Sequence, residues 1–216
     1  MLKKHSVLLC AIISISLLVI ATSHYPGGSQ KDKNSFGYDW ANNYISNLFG
    51  EKAMNGVESA SRPWAVAGML FLSASFAFFF VGFSKKIAAK REANIIKYCG
   101  AAGMLFAFLA VTPYHDIMIT IAGTLTLISM FYITVFVFTS KLHLFKMLSI
   151  VCLLSAYCTN YIYYTRNYLW LLPVLQKASL GITIVWALCL QYFTTIADFP
   201  IKKKVAKKKE GISIDG

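Results

Sequence analysis

Thr112-Pro113-Tyr114-His115-Asp116 is a tight polar corner between two long apolar runs, Ile95 to Thr112 before it and Ile117 to Thr139 after it. A helix rises 1.5 Å per residue, so about 20 apolar residues cross the hydrocarbon of a bilayer. Two such runs joined by four residues predict an antiparallel pair of membrane helices. The corner also holds Asp116, the one candidate acid at membrane depth. The whole composition agrees. Of 216 residues 57% are hydrophobic and only 14% charged, with a mean hydropathy of +0.58, and a soluble core cannot hide that much apolar surface.

Outward from the corner the pattern repeats. Ser61-Arg62-Pro63-Trp64 opens a run to about Phe83, with proline tolerated in a first turn and Trp64 at an interface. Met147 to Tyr164 and Trp170 to Ile196 supply two more runs. Residues 1–22 read either as a first span or as a signal peptide, with Ala21-Thr22-Ser23 as the small residues of a cleavage site. The fold class predicted is all-α: an integral membrane, six-transmembrane-helix bundle with both termini inside and one external loop of about forty residues. Its units are the first span (1–22), an external loop (23–62), a five-span bundle (63–197) and a polybasic cytoplasmic tail (198–216).

Charge sets the orientation. The net charge of +12 would suggest nucleic acid in a soluble protein, but the basic residues lie in short segments between apolar runs, so nucleic-acid binding is not expected. Lys85, Lys86, Lys90, Arg91 and Lys97 face a single Glu92, and with both termini inside fifteen of the 21 lysines and arginines share one side. The expected location is a membrane with both termini on its cytoplasmic side. The Lys202–Lys209 strip reads as an inside-retention signal that also suits anionic lipid.

In the external loop, Tyr38, Trp40, Tyr44, Ile45, Leu48 and Phe49 recur at near-helical spacing. That predicts a short amphipathic helix over 37–50, packed on the bundle ends or lying on the bilayer.

Ionisable groups at membrane depth are costly and are functional candidates by default. Asp116 and Lys177 both fall in the outer half and are expected to pair, directly or through water. His24, Asp39, His115 and Asp116 can converge on the outer face, but no paired-ligand spacing supports a metal site, and no cofactor is expected. Asn160, Gln176 and Gln191 can bond between helices. The five cysteines all fall in or beside spans and read as small packers. The ligand-binding candidates are His24, Asp39, Tyr44, Ser46, Asn47, Arg62, Asn160, Arg166, Gln176 and Lys177; the catalytic candidates are His115 and Asp116.

Tyr44-Ile-Ser-Asn-Leu-Phe-Gly50, Ser61-Arg-Pro-Trp-Ala-Val-Ala-Gly-Met69, Pro113-Tyr-His-Asp116 and Leu172-Pro-Val-Leu-Gln-Lys177 together resemble the bacterial six-span membrane family of unknown function numbered nine-nine-eight. More distantly, the chain is similar to the damage-regulated autophagy modulator group. The resemblance covers about Tyr38 to Trp186. Where that family shows Ile-Ser-Asp-Leu-Gly, this chain has Ser46-Asn47-Leu48-Phe49-Gly50. What the resemblance implies is a fold, a histidine after the third span, and a location in a bacterial cytoplasmic (inner) membrane.

The functional expectation is an outward polar pocket for membrane lipid or a small ligand, bounded by the loop and the ends of spans three to six. One alternative is a membrane-embedded lipid hydrolase or transferase with His115 as base and Asp116 orienting it. A second is a small transporter, against which the inner halves of the spans offer little beyond Gln191.

Overall fold

The computed structural model describes residues 2–199, so the Lys202–Lys209 strip lies outside the described residues. Among the described residues there are six α-helices: α1 Leu2–Ser23, α2 Arg62–Ser84, α3 Lys90–Leu109, α4 His115–Thr139, α5 His143–Thr165 and α6 Leu172–Phe193. Short 3-10 turns lie at Ile45–Phe49, Leu169–Leu171 and Ile196–Asp198. Each helix packs on its neighbour in sequence, and α6 returns to α1 and α2, closing the bundle. Residues 24–61, the 110–114 corner and residues 166–171 gather at one end, here the loop end.

Among the described residues five segments are long and apolar enough to cross a bilayer: His5–Ser23, Arg62–Ser84, His115–Thr139, His143–Thr165 and Leu169–Phe193. This marks a membrane protein. Five segments meet that test where six were expected, because α3 carries Lys90, Arg91, Glu92 and Lys97 within its first eight residues and so has a shorter apolar stretch than the others.

The surface of the bundle is apolar on every side. Leu9, Ile12, Leu105, Phe131, Val135, Leu154 and Val185 point outward. Around the loop end Trp40, Trp64, Tyr161, Tyr168 and Trp170 are exposed, the belt expected where amphipathic rings sit at headgroup level. Lipid tails are as apolar as leucine, so packing and interhelical hydrogen bonds must hold such helices together. Ser14 Oγ donates to Gly68 O at 2.7 Å and Ser75 Oγ to Val7 O at 2.7 Å, joining α1 to α2. A β-carbon on Gly100 would overlap Phe80, so that glycine lets α3 lie close on α2. At the centre Trp186 packs on Phe79, centroids 5.3 Å apart, and its Nε1 donates to Ser149 Oγ at 2.8 Å.

Away from the loops, Lys86 closes the far end of α6. Its ammonium donates to Leu190 O and Gln191 O, both at 2.8 Å, and to Thr194 Oγ1 at 3.2 Å. The last carbonyls of a helix lack intrahelical donors and favour a cation. Burial nevertheless pulls this amine down to about 8, with Asp198 opposing.

Residues 37–50 differ from the helix their periodicity predicts. Gly37 has φ +68°, and Asp39 Oδ1 accepts from Ala41 N and Asn42 N at 2.9 and 3.1 Å, making a side-chain turn that competes with helix. Only Ile45–Phe49 winds, as one 3-10 turn. It buries Leu48 in a second apolar cluster with Ala21, Tyr25, Ala53 and Ala65, which seats the loop on the ends of α1 and α2.

A cavity between α4, α5 and α6

The corner is built from its own backbone. Ala110, Val111 and Thr112 N–H groups bond back to Phe106, Phe108 and Leu109, Pro113 cannot continue the helix, and His115 Nδ1 lies 2.7 Å from Ala110 O. A carbonyl accepts only, so Nδ1 carries a proton, and in the neutral imidazole Nε2 is the nitrogen with the free lone pair. His115 and Asp116 then open α4, the acid sitting in the first turn where the helix dipole favours it.

From that corner a cavity of about 440 Å³ runs down between α4, α5 and α6, a volume ordinary for a ligand site. On α4 it is lined by His115, Asp116, Ile119, Ala122, Gly123, Thr126, Leu127 and Met130, a stripe about 22 Å long at the helical rise. Ala156, Thr159, Asn160 and Tyr163 face it from α5, and Leu172, Gln176, Ser179, Leu180 and Thr183 from α6. Tyr44, Ser46 and Arg166 sit at its mouth.

Polarity is graded along it. Deep in the wall Thr159, Thr183 and Asn160 donate to the carbonyls of Ser155, Ser179 and Ala156 on their own helices, at 2.8, 2.7 and 2.8 Å. These donors are turned onto their own helices, Ser179 Oγ meets Ser155 Oγ between α6 and α5 at 3.3 Å, and Leu127, Met130, Ala156 and Leu180 make the rest of the lumen mainly apolar. Asn160 Oδ1 rests on Gly123, where a β-carbon would come within 2.6 Å of it.

At the mouth Tyr163 organises the charges. Its hydroxyl donates to Asp116 Oδ1 at 2.6 Å, and the Arg166 guanidinium lies over its ring, 5.1 Å from the centroid. Arg166 follows the end of α5 at φ 59°, a left-handed conformation that disfavours residues with a β-carbon. Its guanidinium has no hydrogen-bond or ion-pair partner among the described residues. Burial pushes the Tyr44 phenol up, and the Arg166 charge opposes that shift.

Of the twelve candidates read from the sequence, Tyr44, Ser46, His115, Asp116, Asn160, Arg166 and Gln176 line this one cavity. Gln176 also holds the roof, its Oε1 accepting from Ile45 N at 3.1 Å. His115 and Ser46 also border a groove beside the cavity that contains Arg62, whose guanidinium pairs with Glu51 at 2.7 Å.

The other candidates lie elsewhere. The expected pairing of Asp116 with Lys177 is absent, since α6 turns about 100° per residue and Lys177, next to Gln176, faces α1. There its ammonium donates to Asn43 O and to Pro173 O and lies 5.5 Å from the Tyr38 ring centroid. His24 bonds Ile20 O at 2.9 Å and lies against Trp64. Asp39 is spent on its turn, with Asn42 Nδ2 at 2.7 Å holding its carboxyl below the usual range. Asn47 Oδ1 accepts from Tyr44 N at 2.6 Å. The expected convergence of His24 and Asp39 on His115 and Asp116 is therefore not found, and no group of three metal-ligating side chains exists among the described residues. His115 and Asp116 also diverge, one bonding a carbonyl and the other a tyrosine.

Sequence reasoning missed Tyr163. Its signal was position: it lies three residues after Asn160 on the same helix, so the two are neighbours on one face.

Compared with models of protein families, with characterised proteins and with solved structures, the chain matches none.

Proposed function

We propose that this chain is an integral membrane protein that holds a membrane lipid, or a small amphipathic ligand, in the cavity between α4, α5 and α6. The observation that carries this reading is the gradient along one cavity: a charged and hydroxylic mouth beside the aromatic belt, and a mainly apolar lumen below, where Thr159, Asn160 and Thr183 donate to carbonyls of their own helices. A lipid has the same division of chemistry.

In this reading α3 completes six spans. Its neighbours α2 and α4 flank it along its length, and Lys97, whose ammonium lies 4.8 Å from the Tyr98 ring centroid, snorkels from its charged end. The loop end faces out of a bacterial cytoplasmic membrane and both termini face the cytoplasm, an orientation supported by the excess of lysine and arginine at the opposite end. The tail strip Lys202–Lys209 adds contact with anionic lipid.

The test is lipid analysis of protein purified in mild detergent. Lipid retained in stoichiometric amount, and lost when Ala156→Phe fills the lumen, supports the reading; equal lipid in both proteins removes it.

A second reading, lipid hydrolysis or transfer, is favoured by one observation: His115 Nδ1 is fixed on a carbonyl, leaving Nε2 as a base at the cavity wall. Ala110 O would then orient the imidazole, in place of Asp116. Turnover of a lipid ester abolished by His115→Gln in folded protein would establish it.

A further inference from the structure

Asp116 and Arg166 carry opposite charges at one cavity mouth, yet they form no ion pair; among the described residues the ion pair found is Arg62 with Glu51. Tyr163 keeps them apart. The acid is bound at the hydroxyl in the plane of the ring, and the guanidinium lies over the ring. Among the described residues Asp116 retains one carboxylate oxygen with no protein donor, and Arg166 retains its whole fork.

Two opposite charges facing one lumen, each with hydrogen-bonding capacity left over, are complementary to a head group that carries both signs. Resting on the lipid-binding reading above, we propose that the cavity selects a zwitterionic lipid whose head joins a phosphate to a primary ammonium, as in phosphatidylethanolamine. Arg166 takes the phosphate, since its planar fork matches two oxygens at once. Asp116 takes the ammonium through the free carboxylate oxygen. A quaternary ammonium has no N–H to give that oxygen and instead favours an open aromatic face; one face of the Tyr163 ring is already covered by Arg166, and the ring also packs against Tyr164, centroids 5.5 Å apart. A purely anionic head leaves Asp116 unpaired beside it. The strained backbone at Arg166 is consistent with a position kept for its side chain.

The experiment is native mass spectrometry of the full-length protein, titrated with phosphatidylethanolamine, phosphatidylglycerol and phosphatidylcholine of identical chains. The variants are Asp116→Asn and Arg166→Gln, both exposed side chains, each checked for an unchanged elution profile. Wild type is expected to prefer phosphatidylethanolamine about tenfold, the worth of one charged hydrogen bond. Asp116→Asn should erase the preference over phosphatidylglycerol, and Arg166→Gln should weaken all three phosphate lipids. Equal binding of the three by wild type, tighter binding of phosphatidylglycerol or phosphatidylcholine, or a preference that survives Asp116→Asn overturns the head-group assignment and leaves the cavity a lipid site. Failure of wild type to retain any of the three overturns both.

Discussion

The hydroxyl of Tyr163 reaches Asp116 Oδ1 across 2.6 Å, tying the loop end of α5 to the first turn of α4 where the cavity opens. Removing that hydroxyl frees the carboxylate without emptying the ring from the wall. Tyr163→Phe should lower stability in detergent by about 1 kcal/mol, since the bond is partly solvated. The measurement is thermal unfolding. Lipid preference should change more than stability does, because Asp116 is no longer held in place.

Arg166 occupies a backbone conformation that glycine adopts without cost. Arg166→Gly should therefore stabilise the folded protein by about 1 kcal/mol, while lipid occupancy falls. Parallel melting and lipid-retention measurements separate the two; a variant that loses stability would mean that the guanidinium on Tyr163 is worth more than the strain.

Gly100 should behave oppositely to an ordinary helical glycine. On an exposed helix, glycine to alanine gains about 1 kcal/mol, but here the new β-carbon meets Phe80. Gly100→Ala should cost about 1–3 kcal/mol through overpacking. A neutral or stabilising result in a melting curve would mean that α3 does not lie on α2.

Lys86 gives a pH dependence with a definite sign. Its ordinary value is 10.5 and burial lowers it to about 8 in the folded protein, so between those values the unfolded chain binds more protons than the folded one. Stability from this residue therefore rises as pH climbs from 8 towards 10.5, and below 8 the cost of holding the charged amine half-buried is present in full. Melting curves of wild type and Lys86→Gln should diverge across that window in favour of wild type. A constant difference would contradict the assignment.

The proposed orientation is checked in intact cells. A cysteine at Lys33, in the long loop, should react with a membrane-impermeant maleimide, and one at Lys90 should not. The reverse pattern would invert the topology.

The apolar runs and the Thr112–Asp116 corner were legible because bilayer thickness and helical rise leave few alternatives. Much of the cavity was legible too: polar residues scarce in an apolar sequence, Asn160 and Gln176 among them, point inward since lipid penalises the other choice. Three things were not. The partner of Asp116 depended on the rotation of α6, where one residue separates the cavity-facing Gln176 from Lys177 on the far side. The loop over 37–50 had helical spacing, but Asp39 and Gly37 impose local turns that periodicity does not register. In α3 the charges cluster in the opening turns, so a helix of full length carries a shortened apolar segment.

The most direct test of the lipid-binding cavity is the amount of lipid carried by purified wild type beside Ala156→Phe, both shown by thermal unfolding to be folded. The account predicts about one lipid per wild-type chain and a loss of most of it in the variant. Equal lipid in the two proteins, or none in wild type, would contradict it.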